Sequence, residues 1–251
     1  MPMEQICSVL RAEKLNPYAY ALTLEAGELA RAAQCGQFVH VKCGHSRLLR
    51  RPISVCNVED TRLTLVFEVR GEGTEWLSRR EAGDKLDVMG PLGHGFDPSG
   101  EKIIVVGGGI GVPPMLYTAR KAAGEVHAVV GFRSADRAML LDELGAVCKS
   151  VSVASDDGTL GYHGFVDAVV RDKLSEGGYT AVLACGPKPL LKSIVKVCDE
   201  YGVACQVSLE ERMGCGVGAC LVCAVPMADG TMKHACKDGP VFDAREVDWN
   251  A

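Results

Sequence analysis

Four cysteines near the end of the sequence are spaced like metal ligands. The pattern is C-x4-C-x2-C-x12-C, formed by Cys215, Cys220, Cys223 and Cys236. Zinc sites with four cysteines usually contain two C-x2-C pairs, but this run contains only one. The observed spacing is instead that of a 2Fe-2S site, where a long loop surrounds two irons and two sulfides. Interspersed glycines let such a loop approach a cluster closely and point N–H groups at sulfur. The spacing therefore predicts a 2Fe-2S cluster, and a structural zinc loop is the alternative.

The other eight cysteines are scattered through apolar segments, as Cys7, Cys56, Cys148 and Cys198 illustrate. In a reducing compartment such cysteines behave as small core residues. A chain of 251 residues, 47% of them hydrophobic, can bury a core without disulfides. We therefore expect a cytoplasmic protein in which only the last four cysteines are ligands.

Charge and hydropathy exclude several classes of function. The formal net charge is -5, the isoelectric point is near 5.7, and no run of Lys and Arg is longer than two. This pattern offers no basic surface to nucleic acid or to anionic lipid. No segment reaches eighteen consecutive apolar residues, and the first twenty residues lack the apolar region of a signal peptide. We expect no nucleic acid and no membrane among the partners.

The first hundred residues are patterned as short strands. Residues 62–69 alternate apolar and polar side chains, which is typical of a half-buried strand. Further strands are predicted at 20–25, 37–43, 51–58 and 85–90. Several short strands at this spacing predict a small antiparallel barrel. A helix over 73–81, capped by Thr74, is expected to interrupt it.

A different pattern follows the glycine- and proline-rich segment 90–100. Apolar strands are predicted at 102–111, 126–133, 150–158 and 179–186, each leading through a turn into a helix. This alternation predicts an α/β domain: a parallel sheet with helices on both faces, and ligands at the carboxyl ends of its strands. From about residue 207 the chain is rich in glycine and cysteine and has little material for a core of its own. We therefore predict three parts, residues 1–99, 100–206 and 207–251.

Two glycine turns are expected at the same edge of this sheet. The first, GGGIGVPP at 107–114, joins a buried strand to a helix N-terminus, which is the geometry of a phosphate site. It departs from G-x-G-x-x-G because residue 112 is Val, so a tight turn without a ligand is the alternative. The second turn, in ACGPKPLL at 184–191, follows another predicted strand. Two such turns side by side predict a pocket.

The barrel segment offers a second candidate anion site. Arg51 precedes Pro52 within a strand, and a proline there is tolerated at an edge or where something other than a strand lies alongside. The segment GEGTEWL at 71–77 offers N–H groups and the Thr74 hydroxyl at a helix start. Taken alone, Arg51 is more simply explained as a solvated charge.

The order of these motifs resembles that of a known family. RPIS, GEGT, GPLGHGF, VVGGGIGVPPM, CGP and ERMGCGVGACLVC occur as they do in the electron-transfer subunits of B-type dihydroorotate dehydrogenases, within the ferredoxin reductase-like superfamily. The resemblance covers essentially the whole chain. The earlier motifs are shared by many reductases of that superfamily, whereas the cysteine motif is much more specific.

The resemblance implies a site for each cofactor: FAD on the barrel, NAD(H) as substrate on the parallel-sheet domain, and a 2Fe-2S cluster on the four cysteines. The residues implied at the flavin are Arg51, Pro52, Ile53, Ser54, Glu68, Val69, Arg70, Gly73 and Thr74. Those implied at the nicotinamide nucleotide are Gly107, Gly108, Gly109, Gly111, Cys185, Gly186 and Pro187. We expect no catalytic acid, base or nucleophile.

The implied function is electron transfer, since a flavin exchanges electron pairs with NAD and single electrons with a cluster. The implied partner is an FMN-containing catalytic subunit that oxidises dihydroorotate to orotate in pyrimidine biosynthesis, in a heterotetramer with two copies of each chain. One alternative is the small subunit of a NADH-dependent ferredoxin:NADP oxidoreductase or of a sulfhydrogenase. The other is a colourless, zinc-binding, redox-sensing scaffold.

Other polar residues are not expected to take part. The six histidines, at positions 40, 45, 94, 127, 163 and 234, are scattered without ligand spacing. Glu210 and Glu211 are expected to be solvated. Arg133 and Arg137 follow the second strand of the sheet, where a 2'-phosphate of NADP would lie, but the resemblance favours NADH.

Overall fold

The computed structural model describes residues 2–44 and 48–251, and its first part is a barrel. The barrel strands are β1 (Met3–Lys14), β2 (Ala19–Glu25), β3 (Phe38–Val41), β4 (Arg51–Glu59), β5 (Arg62–Glu68) and β6 (Lys85–Leu92). They close in the order β1-β2-β5-β4-β3-β6, with every neighbouring pair antiparallel. The predicted antiparallel barrel is confirmed.

Alternating apolar side chains fill the barrel. Leu22 and Leu24 of β2 lie opposite Leu65 and Leu63 of β5, and all four are buried. The sequence-based prediction lacks β1, because only Cys7 and Val9 of its twelve residues are buried and its last five residues are exposed. β1 nevertheless completes the barrel, since it pairs with both β2 and β6.

Two short helices, α1 (Gly27–Ala32) and α2 (Glu72–Ser78), belong to the barrel. The predicted cap of α2 is wrong: Gly71 occupies the N-cap position, and Thr74 lies in the first turn. The Thr74 hydroxyl reaches back instead. Its Oγ1 accepts hydrogen bonds from the N–H groups of Arg70 (2.8 Å) and Gly71 (3.2 Å) and donates to the Gly71 carbonyl.

The second part is built on a mainly parallel sheet. Its first six strands are β7 (Lys102–Gly108), β8 (Glu125–Phe132), β9 (Ser150–Ser155), β10 (Tyr162–His163), β11 (Ala181–Cys185) and β12 (Ala204–Ser208). The order β10-β9-β8-β7-β11-β12 is parallel throughout. The connecting helices are α3 (Val112–Lys121), α4 (Leu141–Gly145), α5 (Val166–Ser175) and α6 (Lys188–Tyr201). The predicted parallel sheet is confirmed.

The two faces of the sheet belong to two different cores. Ile103 and Val105 of β7 pack with Met115 of α3 and with the barrel interior. The intervening residues Ile104 and Val106 pack on the other face, in the core that contains α5 and α6. Helices therefore cover both faces, as predicted, and α3 lies between the sheet and the barrel.

The last part contains the strands β13 (Ala224–Pro226), β14 (Met232–His234) and β15 (Val241–Asp243). β13 and β14 form a small antiparallel ladder, and β15 joins the large sheet by pairing antiparallel with β12. Cys223 and Cys236 pack in the same core as Phe38 and Met89 from the barrel. This cysteine-rich part is therefore held against both the barrel and the sheet. Within the described ranges, no helix has the length and apolar character that crossing a membrane requires.

Candidate functional site

The four cysteines meet as two pairs. The N–H of Cys215 donates to the Cys220 sulfur, and the N–H of Cys236 donates to the Cys223 sulfur, each at 3.4 Å. The consecutive N–H groups of Gly218 and Ala219 donate to the sulfurs of Cys236 and Cys215, so the two pairs are close neighbours. In residues 2–44 and 48–251, no group of three or more His, Cys, Asp or Glu side chains is arranged to hold one metal ion. The four cysteine sulfurs are instead arranged as two neighbouring pairs.

The backbone of this loop is folded around the sulfurs. Cysteine sulfurs accept hydrogen bonds of 3.1–3.4 Å from the N–H groups of Cys215, Val217, Gly218, Ala219, Cys220 and Cys236. Burial acts to raise the pKa of Cys215, but the N–H groups directed at its sulfur outweigh this effect and lower the pKa to about 6. A loop that stabilises the Cys215 thiolate in this way suits metal ligation, whereas burial raises the pKa of Cys236 to about 12.

A histidine that the sequence analysis set aside lies directly under this loop. His40 of β3 is fully buried, and a Cβ added at Gly216 would lie 2.8 Å from its Cε1 and 2.9 Å from its Nδ1. Neither ring nitrogen of His40 has a hydrogen-bond partner among the described residues. Burial first, and then the charge of Arg50, lower the pKa of His40 to about 4, so the ring is neutral. His45, another of the six histidines, lies outside the described residues.

The glycine turns open onto a cavity of about 790 Å³ between the barrel and the sheet. Of the residues predicted from the sequence, those that line it are Glu68, Val69, Arg70, Gly108, Gly109, Gly186 and Pro187. The predicted pocket between the two turns is therefore present. It also has a barrel wall, because the end of β5 faces the carboxyl ends of β7 and β11.

Three residues predicted at the nucleotide lie behind the lining of the cavity and support it. They are Gly107, Gly111 and Cys185. A Cβ at Gly107 would lie 2.8 Å from the Val112 Cα, and a Cβ at Gly111 would lie 2.2 Å from the Cys185 carbonyl oxygen. These two glycines allow α3 to start against the sheet. The Cys185 side chain is buried, and burial, assisted by the charge of Glu210, raises its pKa to about 12.

Charged side chains cross the cavity from barrel to sheet. Glu68 accepts hydrogen bonds from Arg70, with N···O distances of 2.9 and 2.7 Å. The Arg137 guanidinium stacks on Tyr18 at 3.7 Å and lies 3.9 Å from Glu68. Arg137 is therefore turned towards the barrel. No local sequence pattern predicts this contact, because Tyr18 and Arg137 are more than a hundred residues apart in the chain.

Glu210 is exposed at the wall of the cavity, and Glu211 is also exposed. Surrounding protein atoms, assisted by Glu68 and opposed by Arg70, raise the pKa of the Glu210 carboxyl. Both glutamates are accessible to solvent, as the sequence analysis expected.

Arg51 and the start of α2 come together in a separate part of the barrel. A Cβ at Gly73 would lie 2.5 Å from Nε of Arg51, so the guanidinium lies directly over this glycine. The first turn of a helix leaves backbone N–H groups open to an anion. Thr74 connects the first turn of α2 to the cavity, because its hydroxyl accepts a hydrogen bond from the Arg70 N–H at the cavity wall.

The position of Pro52 follows from the pairing of β4. This strand lies between β3 and β5 and is therefore not an edge strand, which corrects one of the two expectations for the proline. Residues 51–54 pair with β3, whereas pairing with β5 covers Val55–Glu59. The second expectation, that something other than a strand lies beside Pro52, agrees with this pairing. Ile53 is buried, and Ser54 is half-buried.

Comparisons with known proteins agree with this geometry. The family described as the iron-sulfur cluster binding domain of dihydroorotate dehydrogenase B matches residues 210–248. A protein of Caldanaerobacter subterraneus subsp. tengcongensis, named dihydroorotate dehydrogenase B (NAD(+)), electron transfer subunit, is 38% identical over 95% of this chain and 96% of its own length. A Bacillus caldolyticus protein of the same name is 42% identical over 91% of this chain and 92% of its own.

Solved structures give the same fold. A chain from the structure of a NADH-dependent reduced ferredoxin-NADP oxidoreductase, described in connection with flavin-based electron bifurcation, superposes with a TM-score of 0.88 and 29% identity. The match covers 98% of this chain and 91% of that one. An Amycolatopsis cytochrome P450 reductase matches with a TM-score of 0.66 at 22% identity, over 80% of this chain and 66% of that chain, and supports the fold alone.

Proposed function

Because this chain belongs to the family of electron transfer subunits of NAD(+)-dependent dihydroorotate dehydrogenase B, we propose that it carries electrons between a nicotinamide nucleotide and a catalytic partner. The carriers are a flavin and an iron-sulfur cluster.

One observation carries the proposal: two cysteine pairs within a loop whose N–H groups point at sulfur. Two thiolates for each of two irons is the ligand arrangement of a 2Fe-2S cluster. We therefore propose that Cys215 and Cys220 hold one iron and that Cys223 and Cys236 hold the other. The N–H groups would stabilise the reduced cluster, since they offset its added negative charge.

The barrel is the proposed site of FAD. Arg51 provides a cation for the pyrophosphate. It lies over Gly73, where the start of α2 offers backbone N–H groups. The side of β4 at Pro52, Ile53 and Ser54 that faces away from β3 is the proposed position of the isoalloxazine. Bound there, FAD supplies the exchange of electron pairs with the nucleotide and of single electrons with the cluster.

The cavity between barrel and sheet is the proposed site of the nicotinamide nucleotide. Gly108 and Gly109 leave room for its phosphates, and Gly186 and Pro187 form the wall beside them. Glu68, Val69 and Arg70 form the opposite wall, where the flavin would meet the nicotinamide. We propose NAD(H) rather than NADP(H). Arg137 is held by Tyr18 and Glu68, and Asp156 adds a carboxylate that would repel a 2'-phosphate.

The loop of residues 214–223, called the cluster loop, is the proposed site from which electrons leave the chain. Cys220 is exposed, and so are the apolar side chains of Val217, Leu221 and Val222 in the same loop. Apolar surface around a redox centre suits a protein partner that excludes water from the transfer path. We propose that this partner is the FMN-containing catalytic subunit, that two copies of each chain assemble, and that the complex works in the cytoplasm.

The proposal is tested by the visible spectrum of the anaerobically purified chain before and after addition of NADH, together with iron, sulfide and zinc contents. We expect flavin bands and broad iron-sulfur absorption, both bleached by NADH, with two irons and two sulfides per chain. A colourless protein that contains zinc would refute the redox function. Four irons per chain would refute the 2Fe-2S assignment alone.

The partner is tested separately, with the FMN-containing catalytic subunit added to the chain. We expect dihydroorotate to reduce NAD+ only when both chains are present. A chain of similar structure comes from a NADH-dependent reduced ferredoxin-NADP oxidoreductase, so reduced ferredoxin is the matched alternative donor. Reduction of NAD+ by ferredoxin, but not through the catalytic subunit, would overturn the proposed partner and leave the cofactors in place.

A further inference from the structure

His40 is a buried polar side chain that has no polar partner within residues 2–44 and 48–251. It lies on β3 opposite Pro52 of β4, and on its other side opposite Met89 of β6. Its ring is 5.7 Å from that of Phe38, on the outer face of the barrel. Met89 and Phe38 pack in the core that contains Cys223 and Cys236. His40 therefore lies where the barrel meets the cysteine-rich part.

Both ring nitrogens of His40 are buried, and neither has a hydrogen-bond partner in the part of the chain that the structure describes. Buried polar atoms are normally paired, and an exception calls for a partner that is still to be identified. The other strongly buried histidine, His127, shows the usual situation. Its Nδ1 lies 2.7 Å from the Ser150 hydroxyl, and its Nε2 lies 2.9 Å from Glu125.

The unpaired edge of His40 faces the cluster loop. The nearest atoms to a Cβ built on Gly216 are Cε1, Nδ1 and Nε2 of the imidazole, at 2.8, 2.9 and 3.2 Å. Gly216 also has a φ of +76°, which favours glycine independently. Since Gly216 follows Cys215 directly, the ring lies against the backbone next to the first cysteine of the loop.

We propose that a ring N–H of His40 donates a hydrogen bond to a bridging sulfide of the cluster. This inference rests on the proposed function, because it needs the cluster. A neutral imidazole has one N–H to donate, and the described cysteine sulfurs do not accept it, so the sulfide is the acceptor that remains. The bond would join β3 of the flavin barrel to the cluster loop.

The expected consequence is a higher cluster potential. A hydrogen bond to sulfur stabilises the reduced cluster more than the oxidised one, because reduction adds negative charge. We expect loss of this bond to lower the equilibrium constant for reduction about tenfold, which corresponds to a fall of about 59 mV for one electron.

The direct test uses the holoprotein, copurified with its partner subunit and labelled with 15N only in histidine. Pulsed EPR of the dithionite-reduced cluster is expected to show a weak 15N coupling. The coupling is expected to persist in His234→Gln, which alters the histidine nearest to Cys236 in sequence, and to disappear in His40→Gln. An EPR-monitored titration of His40→Leu measures the shift in potential.

Each outcome decides a different point. A cluster signal without 15N coupling would overturn the role of His40 and leave the proposed function intact. A coupling that disappears in His234→Gln would assign the bond to His234 instead. A chain that shows no cluster signal at all would refute the proposed function itself. The labelled unmutated protein gives an answer even if His40→Leu does not fold.

Discussion

Replacement of Gly216 by Ala is the sharpest test of the contact between the cluster loop and the barrel. Gly216 has a φ of +76°, and an added Cβ would meet three atoms of the buried His40 ring at 2.8–3.2 Å. Gly230 offers a matched control. Its φ is +80°, and a Cβ added there would have no neighbour within 4 Å.

The two substitutions share one cost and differ in the other. A Cβ in the left-handed region costs about 1–2 kcal/mol at either position. Gly216→Ala also crowds a packed interior, which costs about 1–3 kcal/mol more. We therefore expect the free energy of unfolding to fall by about 2–5 kcal/mol in Gly216→Ala and by about 1–2 kcal/mol in Gly230→Ala.

The assay is anaerobic urea unfolding at pH 7 followed by circular dichroism, with iron content measured on the same samples. Iron is expected to fall in Gly216→Ala and to be retained in Gly230→Ala. The double variant Gly216→Ala/His40→Ala should be more stable than the sum of its single effects predicts, because removal of the ring relieves the clash. Equal destabilisation by the two glycine substitutions would refute the proposed packing of Gly216 on His40.

Three further predictions concern the cofactors and the thiols. Cys220→Ser is expected to lower electron delivery to the partner at least about a hundredfold, while NADH:ferricyanide activity stays within about twofold. The control Cys148→Ser should preserve both activities. Loss of both activities in Cys220→Ser would show that the cluster has a structural role instead. Arg51→Gln is expected to raise the Kd for FAD about ten- to a hundredfold, because a charge-assisted hydrogen bond is worth about 1.5–3 kcal/mol. The Kd is measured by flavin fluorescence. Replacement of the exposed Arg31, in Arg31→Gln, should leave the Kd unchanged. Burial raises the pKa of Cys56 to about 12, so about one thiol in ten thousand is ionised at pH 8. Mass spectrometry should therefore find Cys56 unalkylated after iodoacetamide treatment of the folded protein. Rapid labelling of Cys56 would contradict its burial.

The barrel and the sheet were predictable because their strands carry local periodic patterns. Residues 62–69 alternate and the segment at 102–111 is continuously apolar, and both predictions correspond to strands, β5 and β7. β1 was missed because most of it is exposed, so its pairing with β2 and β6 leaves little trace in its own sequence. The cap of α2 was misplaced because a threonine hydroxyl can serve the helix from its first turn as well as from its N-cap.

The spacing of the four cysteines and the positions of the two glycine turns were already evident in the amino-acid sequence. Ligand spacing is a property of one short loop, and parallel strands bring their carboxyl ends to one edge whatever lies around them. By contrast, the folded chain was needed to show that β15 extends the sheet, that Arg137 turns towards Tyr18, and that His40 is buried under Gly216. Each of these depends on contact between residues far apart in the chain. The burial of a side chain is fixed by the surface that comes to cover it, and a strand pattern does not specify that surface.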